Sequence, residues 1–105
     1  MKRLKRRYLA VQLDVDCVPT ERDFIDAVWA SVTKLFGEYG ASLTSLALIS
    51  YDGEQKFAVV RANLQAVDNV RAALATVTSL GGKEAAVHVL AVSGTIKALH
   101  KNLGP

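Results

Sequence analysis

The first apolar residues of the chain recur at every second position over residues 8–15, as Leu9, Val11, Leu13 and Val15. This is the period of a strand with one buried face. Beyond Pro19 the spacing becomes helical, and the apolar side of the predicted helix comprises Phe24, Ile25, Val28, Trp29, Val32, Leu35 and Phe36. Thr20 followed by Asp23 resembles a capping box at its start, and Gly37 is typical of a helix end.

The middle of the chain has the pattern of a hairpin. Two β-rich runs, residues 42–51 and 56–64, are joined by Asp52-Gly53-Glu54-Gln55, and an Asp-Gly pair between apolar runs indicates a tight turn. A second helix follows, with apolar positions at Val67, Val70, Leu74, Val77 and Leu80, and Gly81-Gly82 stops it. Residues 84–92 are predicted to form a fourth strand and residues 95–103 a short third helix.

The predicted order of elements is β-α-β-β-α-β-α. Its first six elements match the ferredoxin-like arrangement, also found in RNA-recognition motifs, in which two helices cover one face of a four-stranded antiparallel sheet of order 4-1-3-2. A chain of 105 residues, half of them apolar, is long enough for one core. We therefore expect a basic arm over residues 1–7 and one α+β sandwich domain over residues 8–105, with an added C-terminal helix.

Basic residues are concentrated at the two ends of the chain. Residues 1–7 contain five basic residues and no acid, residues 8–84 contain ten acids and six basic residues, and only Lys97 and Lys101 are charged beyond Glu84. Strands one and four are antiparallel neighbours in the expected fold, so Arg7 should lie near Ser93. The fold would then gather the basic residues of both ends at one edge of the domain.

The turn Ser93-Gly94-Thr95 before the third helix has two interpretations. Its free amides, with Lys97 alongside, could hold a phosphate, since Gly94 allows close approach of the ligand. Alternatively, a Ser or Thr side chain there only caps the helix, which contributes about 1 kcal/mol. The neighbouring basic arm brings phosphate contact into consideration, and an arm of this charge density favours a nucleic acid over a small acidic metabolite.

The other face of the sheet raises a second question. Tyr8, Phe57 and Arg61 should point outward on the two central strands, where RNA-recognition motifs stack bases on aromatic side chains. One aromatic residue on each strand falls short of that pattern, so packing of Tyr8 and Phe57 is the favoured interpretation. The edge strands are apolar on both faces, which indicates that the third helix, a protein partner or both cover the second face.

Little in the sequence indicates catalysis by this chain. It has no metal-binding cluster, no serine or cysteine triad and no P-loop, and the pairs Asp14 with Asp16 and Asp52 with Glu54 fit solvated acids better than a carboxylate dyad. Cys17 is the only cysteine, which excludes an internal disulfide. The apolar run after the basic arm is too short to cross a membrane, so we expect a cytoplasmic protein.

Several segments resemble the protein component 2 family of archaeal and eukaryotic ribonuclease P, in its archaeal form. The similarity lies in RRYLAVQLD (6–14), LFGEYGASL (35–43), LISYD (48–52), FAVVRANLQAVDNVRAAL (57–74) and VHVLAVSGTIKALHK (87–101). GEYGAS and SGTIK are the more specific motifs.

The resemblance implies a subunit of a ribonucleoprotein that removes the 5′ leader of precursor tRNA. The RNA and its Mg²⁺ would perform the hydrolysis, and the protein would work with component 3, often as two copies of each.

The expected RNA contacts are Lys2, Arg3, Lys5, Arg6, Arg7, Ser93, Gly94, Thr95, Lys97 and Lys101, with Tyr8, Phe57 and Arg61 as sheet-face candidates. The alternative is a ferredoxin-like regulatory module that binds a small acidic ligand or another protein.

Overall fold

The computed structural model describes the backbone of residues 5–102 and the side chains of residues 5–99. Five strands and three α-helices follow one another, with a single 3-10 turn before the second helix. Their bounds are β1 Arg6–Val15, α1 Glu21–Ser42, β2 Ala47–Asp52, β3 Phe57–Asn63, the 3-10 turn Leu64–Ala66, α2 Val67–Ala75, β4 Ser79–Leu80, β5 Lys83–Ser93 and α3 Ile96–Asn102.

All neighbouring strands pair antiparallel in the order β2-β3-β1-β5-β4. The four long strands therefore have the neighbours that the sequence predicts. The expectation of four strands was wrong, because Ser79 and Leu80 form a fifth strand, β4, against the start of β5. Two residues are too few to show a strand period, so the pattern assigned Leu80 to the preceding helix instead.

Helix α1 begins where the sequence predicts and ends later. The Thr20 hydroxyl caps it by accepting a hydrogen bond from the Asp23 amide at 3.1 Å. Gly37 leaves helical geometry, with φ of 75° and ψ of 170°, yet the helix resumes and continues to Ser42. Glycine adopts this left-handed φ without steric cost, so it acts here as a kink and not as the predicted end. Strand β2 consequently begins at Ala47, five residues later than expected.

Helix α2 is shorter than predicted. It ends at Ala75, and the chain turns through Gly81 and Gly82, which have φ of 58° and 81°, into β5. The side chain of Asp23 on α1 lies against this turn, so that a Cβ added at Gly81 would be 2.8 Å from the Asp23 carboxylate. The turn therefore requires glycine for its backbone and, at Gly81, for the space around it.

The main core lies between the sheet and helices α1 and α2. It is built from the alternating residues Leu9, Val11, Leu13 and Val15 of β1 and from Phe24, Val28 and Val32 of α1, all of them buried. At the edge of this core the ring of Tyr51 packs near Phe24, and its hydroxyl donates to the Pro19 carbonyl. Burial raises the pKa of Tyr51, and the carboxylates of Asp23 and Glu21 raise it further.

A second, smaller core occupies the opposite face of the sheet, which we call the open face because neither long helix covers it. Helix α3 folds back onto β1 and β5 and buries Leu99 completely against Ala10 and Val59. Tyr8, Ile49, Phe57 and Ala91 pack around this cluster. The third helix thus covers part of the second apolar face.

Candidate nucleic-acid interface

The pairing of β1 with β5 brings the two ends of the described chain together. Tyr8 lies opposite Ser93, so the basic residues before Tyr8 lie beside the turn that follows Ser93. Strand β1 begins at Arg6, two residues earlier than expected. Arg6 and Arg7 therefore belong to the sheet and not to a separate arm before it. The backbone at this corner is fixed further by a 2.8 Å hydrogen bond from the Leu64 amide to the Lys5 carbonyl.

Arg7 lies directly against the turn. A Cβ built on Gly94 would be 3.3 Å from Arg7 Nη1 and 3.6 Å from Cζ. The same Nη1 donates to the Arg6 carbonyl at 3.1 Å. The guanidinium of Arg7 is therefore positioned by the backbone of its own strand and by the absence of a side chain at Gly94. Arg7 lies near Ser93, as the sequence predicts.

Strand alternation divides the basic residues between the two faces of the sheet. Arg7 shares its side of β1 with the core residues Leu9 and Val11, whereas Arg6 shares the open face with Tyr8. Lys5, Arg6 and Lys97 are exposed, and Arg7 is half-buried. Lys2 and Arg3 lie outside the described residues, and the side chain of Lys101 is not described.

No acid adjoins these basic residues in the sequence. Residues 1–13 and 85–105 contain neither Asp nor Glu. Within the described part of the chain, the recorded ion pair joins Arg22 to Asp26 at 3.6 Å on the exposed side of α1, and none involves Arg6, Arg7 or Arg61. The edge formed by the start of β1 and the end of β5 is therefore a surface of uncompensated positive charge.

The turn Ser93-Gly94-Thr95 forms a helix cap. Thr95 Oγ1 accepts a hydrogen bond from the Ala98 amide at 3.1 Å, and the Thr95 amide points to Ser93 Oγ at 3.5 Å. Helix α3 has only seven residues, and its first turn already uses the Thr95 hydroxyl as a partner. The capping interpretation therefore accounts for the local hydrogen bonds. Phosphate contact at this turn stays a prediction. A phosphate there would be held mainly by the charged side chains around the turn.

The three sheet-face candidates occupy different environments. Tyr8 and Phe57 are half-buried around Leu99, which agrees with the packing interpretation. Arg61 lies opposite Tyr8 on β1 and opposite Ala47 on β2, and its Nε is shielded from solvent without a hydrogen-bond partner. The sequence singles out Arg61 by its position but gives no sign of this unpaired donor. Nor could it indicate the close approach of Arg7 to Gly94.

The opposite end of the sheet is acidic. Asp14, Asp16 and Glu84 line a shallow groove of about 270 Å³ between β1 and β5. Among residues 5–99, no group of three or more His, Cys, Asp or Glu side chains is arranged to hold a metal ion. Cys17 is exposed at the end of β1. In the part of the chain that the structure describes, no helix is both long and apolar enough to span a membrane.

Comparison with known proteins identifies the family of this chain. Residues 7–104 match the family model described as the Rpp14/Pop5 family. The chain belongs to the Rpp14/Pop5 family. Ribonuclease P protein component 2 of Pyrococcus abyssi is 34% identical over 97 residues, which cover 92% of this chain and 82% of that protein. The protein of the same name from Methanobrevibacter smithii is 33% identical over 106 residues, covering 94% and 88%.

A solved structure shares the fold of this family member. A chain in the cryo-EM structure of yeast ribonuclease MRP superposes with a TM-score of 0.73, covering 98% of this chain and 92% of that chain. The two sequences are only 15% identical, so this likeness concerns the fold. It shows that the α+β arrangement with an antiparallel sheet recurs in a protein of distant sequence.

Proposed function

We propose that this chain is an RNA-binding protein subunit of ribonuclease P and supports the catalytic RNA in the 5′ maturation of precursor tRNA. Membership of the Rpp14/Pop5 family supports this proposal, together with the archaeal relatives named ribonuclease P protein component 2. The structural observation that carries it is the surface of uncompensated positive charge where the start of β1 adjoins the end of β5.

The proposed role of this surface is electrostatic. Packed RNA helices repel one another through their phosphates, and bound cationic side chains displace counterions and lower that repulsion. The contact residues are those expected from the sequence, namely Lys2, Arg3, Lys5, Arg6, Arg7, Ser93, Gly94, Thr95, Lys97 and Lys101. The catalytic RNA would then keep its active shape at moderate Mg²⁺ concentration.

The remaining parts of the proposal concern partners and chemistry. We assign no catalytic residue to this chain, and Mg²⁺ would be carried by the RNA during phosphodiester hydrolysis. Component 3 is the proposed protein partner, self-association is a further contact, and precursor tRNA is reached through the holoenzyme. We propose a cytoplasmic location. We also assign the fold to the ferredoxin-like class, because the four long strands keep its neighbour order.

A ferredoxin-like regulatory module that binds a small acidic ligand or a partner protein is the alternative function, and family membership does not favour it. The two functions differ in their response to salt. Contacts with many phosphates weaken steeply as salt rises, whereas a small ligand held by one or two charges loses little affinity. Tight, salt-insensitive binding of a metabolite without retention of RNA would favour the regulatory module.

The first test removes the charge of the arm. Lys2, Arg3, Lys5, Arg6 and Arg7 are replaced by Gln, and binding to a ribonuclease P RNA transcript is measured over a series of salt concentrations. We expect weaker binding and a shallower dependence of log affinity on log salt, by about 0.9 for each lost contact with a duplex phosphate. Replacing the exposed cations Arg22, Lys34, Arg71 and Lys83 by Gln is the control, and should change neither quantity as much. Unchanged affinity and slope in the arm variant would contradict the proposal.

The second test changes only the placement of Arg7. Gly94 does not have a positive φ, so Gly94→Ala is compatible with the backbone, but the new Cβ pushes against the Arg7 guanidinium. We expect weaker RNA binding with a change in unfolding free energy of about 0.5 kcal/mol or less. In an Arg7→Gln background the same substitution should have no further effect. An undiminished effect there would show that Gly94 acts without Arg7.

A further inference from the structure

The open face of the sheet carries a second group of basic and hydroxyl side chains at the same end as Ser93. Tyr8 lies opposite Arg61 on one side and opposite Ser93 on the other, so the three form a row across β3, β1 and β5. Arg6 precedes Tyr8 by two residues and therefore points to the same face, diagonally across from Arg61. We call Arg6, Tyr8, Arg61 and Ser93 the Arg61 cluster.

The two arginines of the Arg61 cluster have no ion-pair partner among the described residues. Arg61 is half-buried, and its Nε is shielded from solvent with no hydrogen-bond partner among the described residues. On β1 the nearest acid on this face is Asp14, six residues from Tyr8 and thus about 20 Å away along the strand. The undescribed residues 1–4 and 103–105 contain no acidic side chain. Among the described residues no ion pair involves Arg6 or Arg61.

Such an arrangement is unfavourable in the protein alone. Like charges on neighbouring strands repel each other, and a half-buried guanidinium with an unpaired donor loses hydration without gaining a hydrogen bond. An apolar residue at position 61 would extend the cluster of Val59 and Leu99 without either cost. A bound anion between Arg6 and Arg61 would remove both costs at once.

We propose that the Arg61 cluster binds a phosphate group of the RNA backbone. All of its polar groups can donate hydrogen bonds: two guanidinium groups, the phenol of Tyr8 and the hydroxyl of Ser93. A phosphate offers several acceptor oxygens, and arginine matches its geometry with paired donors. This contact lies on the open face, whereas Arg7 lies on the helix-covered side of β1, so the RNA backbone contacts both sides of the sheet end. The inference rests on the proposed function, whose RNA supplies the phosphate.

The first experiment measures RNA binding by the full chain carrying Arg61→Gln. Loss of one phosphate contact should weaken binding to a ribonuclease P RNA transcript roughly tenfold and reduce the salt slope by about 0.7 to 0.9. Arg71→Gln, which removes an exposed arginine on α2, is the matched control and should bind like the unmodified protein. Equal affinity and slope for both variants would overturn the inference. Weakened binding to component 3 with RNA binding unchanged would also overturn it, because the occupant would then be a protein carboxylate.

The second experiment separates an anion site from a structural role and does not depend on RNA. Inorganic phosphate is added at constant ionic strength, and the unfolding temperature is followed for the unmodified protein, Arg61→Gln and Tyr8→Phe. We expect phosphate to stabilise the unmodified protein more than either variant, since a ligand that binds the folded state raises stability. Without phosphate, Arg61→Gln should be at least as stable as the unmodified protein. A lower unfolding temperature for Arg61→Gln that phosphate does not influence would mean that Arg61 serves only packing.

The two experiments also distinguish this inference from the proposed function. If the unmodified protein fails to bind the transcript while phosphate stabilises it through Arg61, the proposed function fails together with RNA as the source of the phosphate, and only the anion site itself stands. If the arm variant loses RNA affinity and Arg61→Gln does not, the proposed function stands and the Arg61 cluster has no part in RNA binding.

Discussion

Among the described side chains of α3, Leu99 alone is completely buried, and its removal gives a sharp prediction. Leu99 is completely buried against Ala10 and Val59, whereas Ile96, on the same helix, is 38% exposed. Leu99→Ala removes the part of this helix that belongs to the second core. Ile96→Ala removes a side chain of similar size from a more exposed position and is the matched control.

The expected loss can be estimated from the burial of Leu99. Complete burial of a leucine side chain contributes roughly 1.5–3 kcal/mol, and a rigid cavity left in its place can raise the cost to about 5 kcal/mol. Helix α3 has only seven residues, and a helix of that length is not stable alone in water. It would detach instead of enclosing a cavity, so the loss is limited by the docking energy of the helix. We expect Leu99→Ala to lower the unfolding free energy by about 2 kcal/mol.

Urea denaturation and thermal unfolding measure this loss. A loss of 2 kcal/mol in a chain of this size corresponds to a fall of roughly 10 °C in Tm. Ile96→Ala should lower the unfolding free energy by about 1 kcal/mol or less. Amide exchange at Ala98 and Leu99 should rise strongly in Leu99→Ala and little in the control. If both variants were equally stable and α3 stayed equally protected, the burial of Leu99 would not hold α3 to the sheet.

Two further predictions concern the main core and its turns. Tyr51→Phe removes the hydrogen bond to the Pro19 carbonyl and should cost about 1 kcal/mol. Because the folded pKa of Tyr51 is raised, the unmodified protein should lose stability above about pH 10, where the unfolded chain gives up the proton first; comparing the two pH profiles by urea denaturation should show a smaller loss in the variant. Gly81→Ala forces a left-handed residue against Asp23 and should cost about 1–2 kcal/mol. Adding Asp23→Ala should restore the part of the unfolding free energy that is lost through the contact between the new Cβ and Asp23. If no stability were restored, the whole loss would come from the left-handed backbone at position 81.

Much of the fold follows from local periodicity. The alternation of β1 and the helical spacing after Thr20 predict their elements because each repeats over several residues. The Asp-Gly pair marks the loop between β2 and β3, although the left-handed residue of that loop is Lys56, with φ of 55°. The errors fall at the ends of elements, where for example the apolar spacing of Val77 and Leu80 continues after α2 has ended at Ala75. Strand β4 has two residues, and the glycine at position 37 has the same sequence signature as a helix end although it only kinks α1.

In the candidate site, the neighbouring strands could be predicted from the sequence, whereas the side-chain contacts could not. The neighbour relation of β1 and β5 predicts that Arg7 lies near Ser93, because it depends only on strand order. The contact between Arg7 and Gly94 depends on rotamers, and the unpaired Nε of Arg61 depends on how closely the strands surround it. Neither feature has a sequence signature, because both depend on side-chain conformations that the order of residues alone does not define.

The attachment of α3 has a thermodynamic consequence for the basic surface. Lys97 is carried by a helix that follows β5 after only two residues and is held down by Leu99. A polyanion that binds Lys97 only in the docked helix stabilises the docked helix. By linkage, docking of the helix strengthens binding of the polyanion by the same free energy. Occupancy of the surface and order at the C-terminal end of the fold are thus linked, so a change at a fully apolar position would alter how the protein responds to salt and to its ligand.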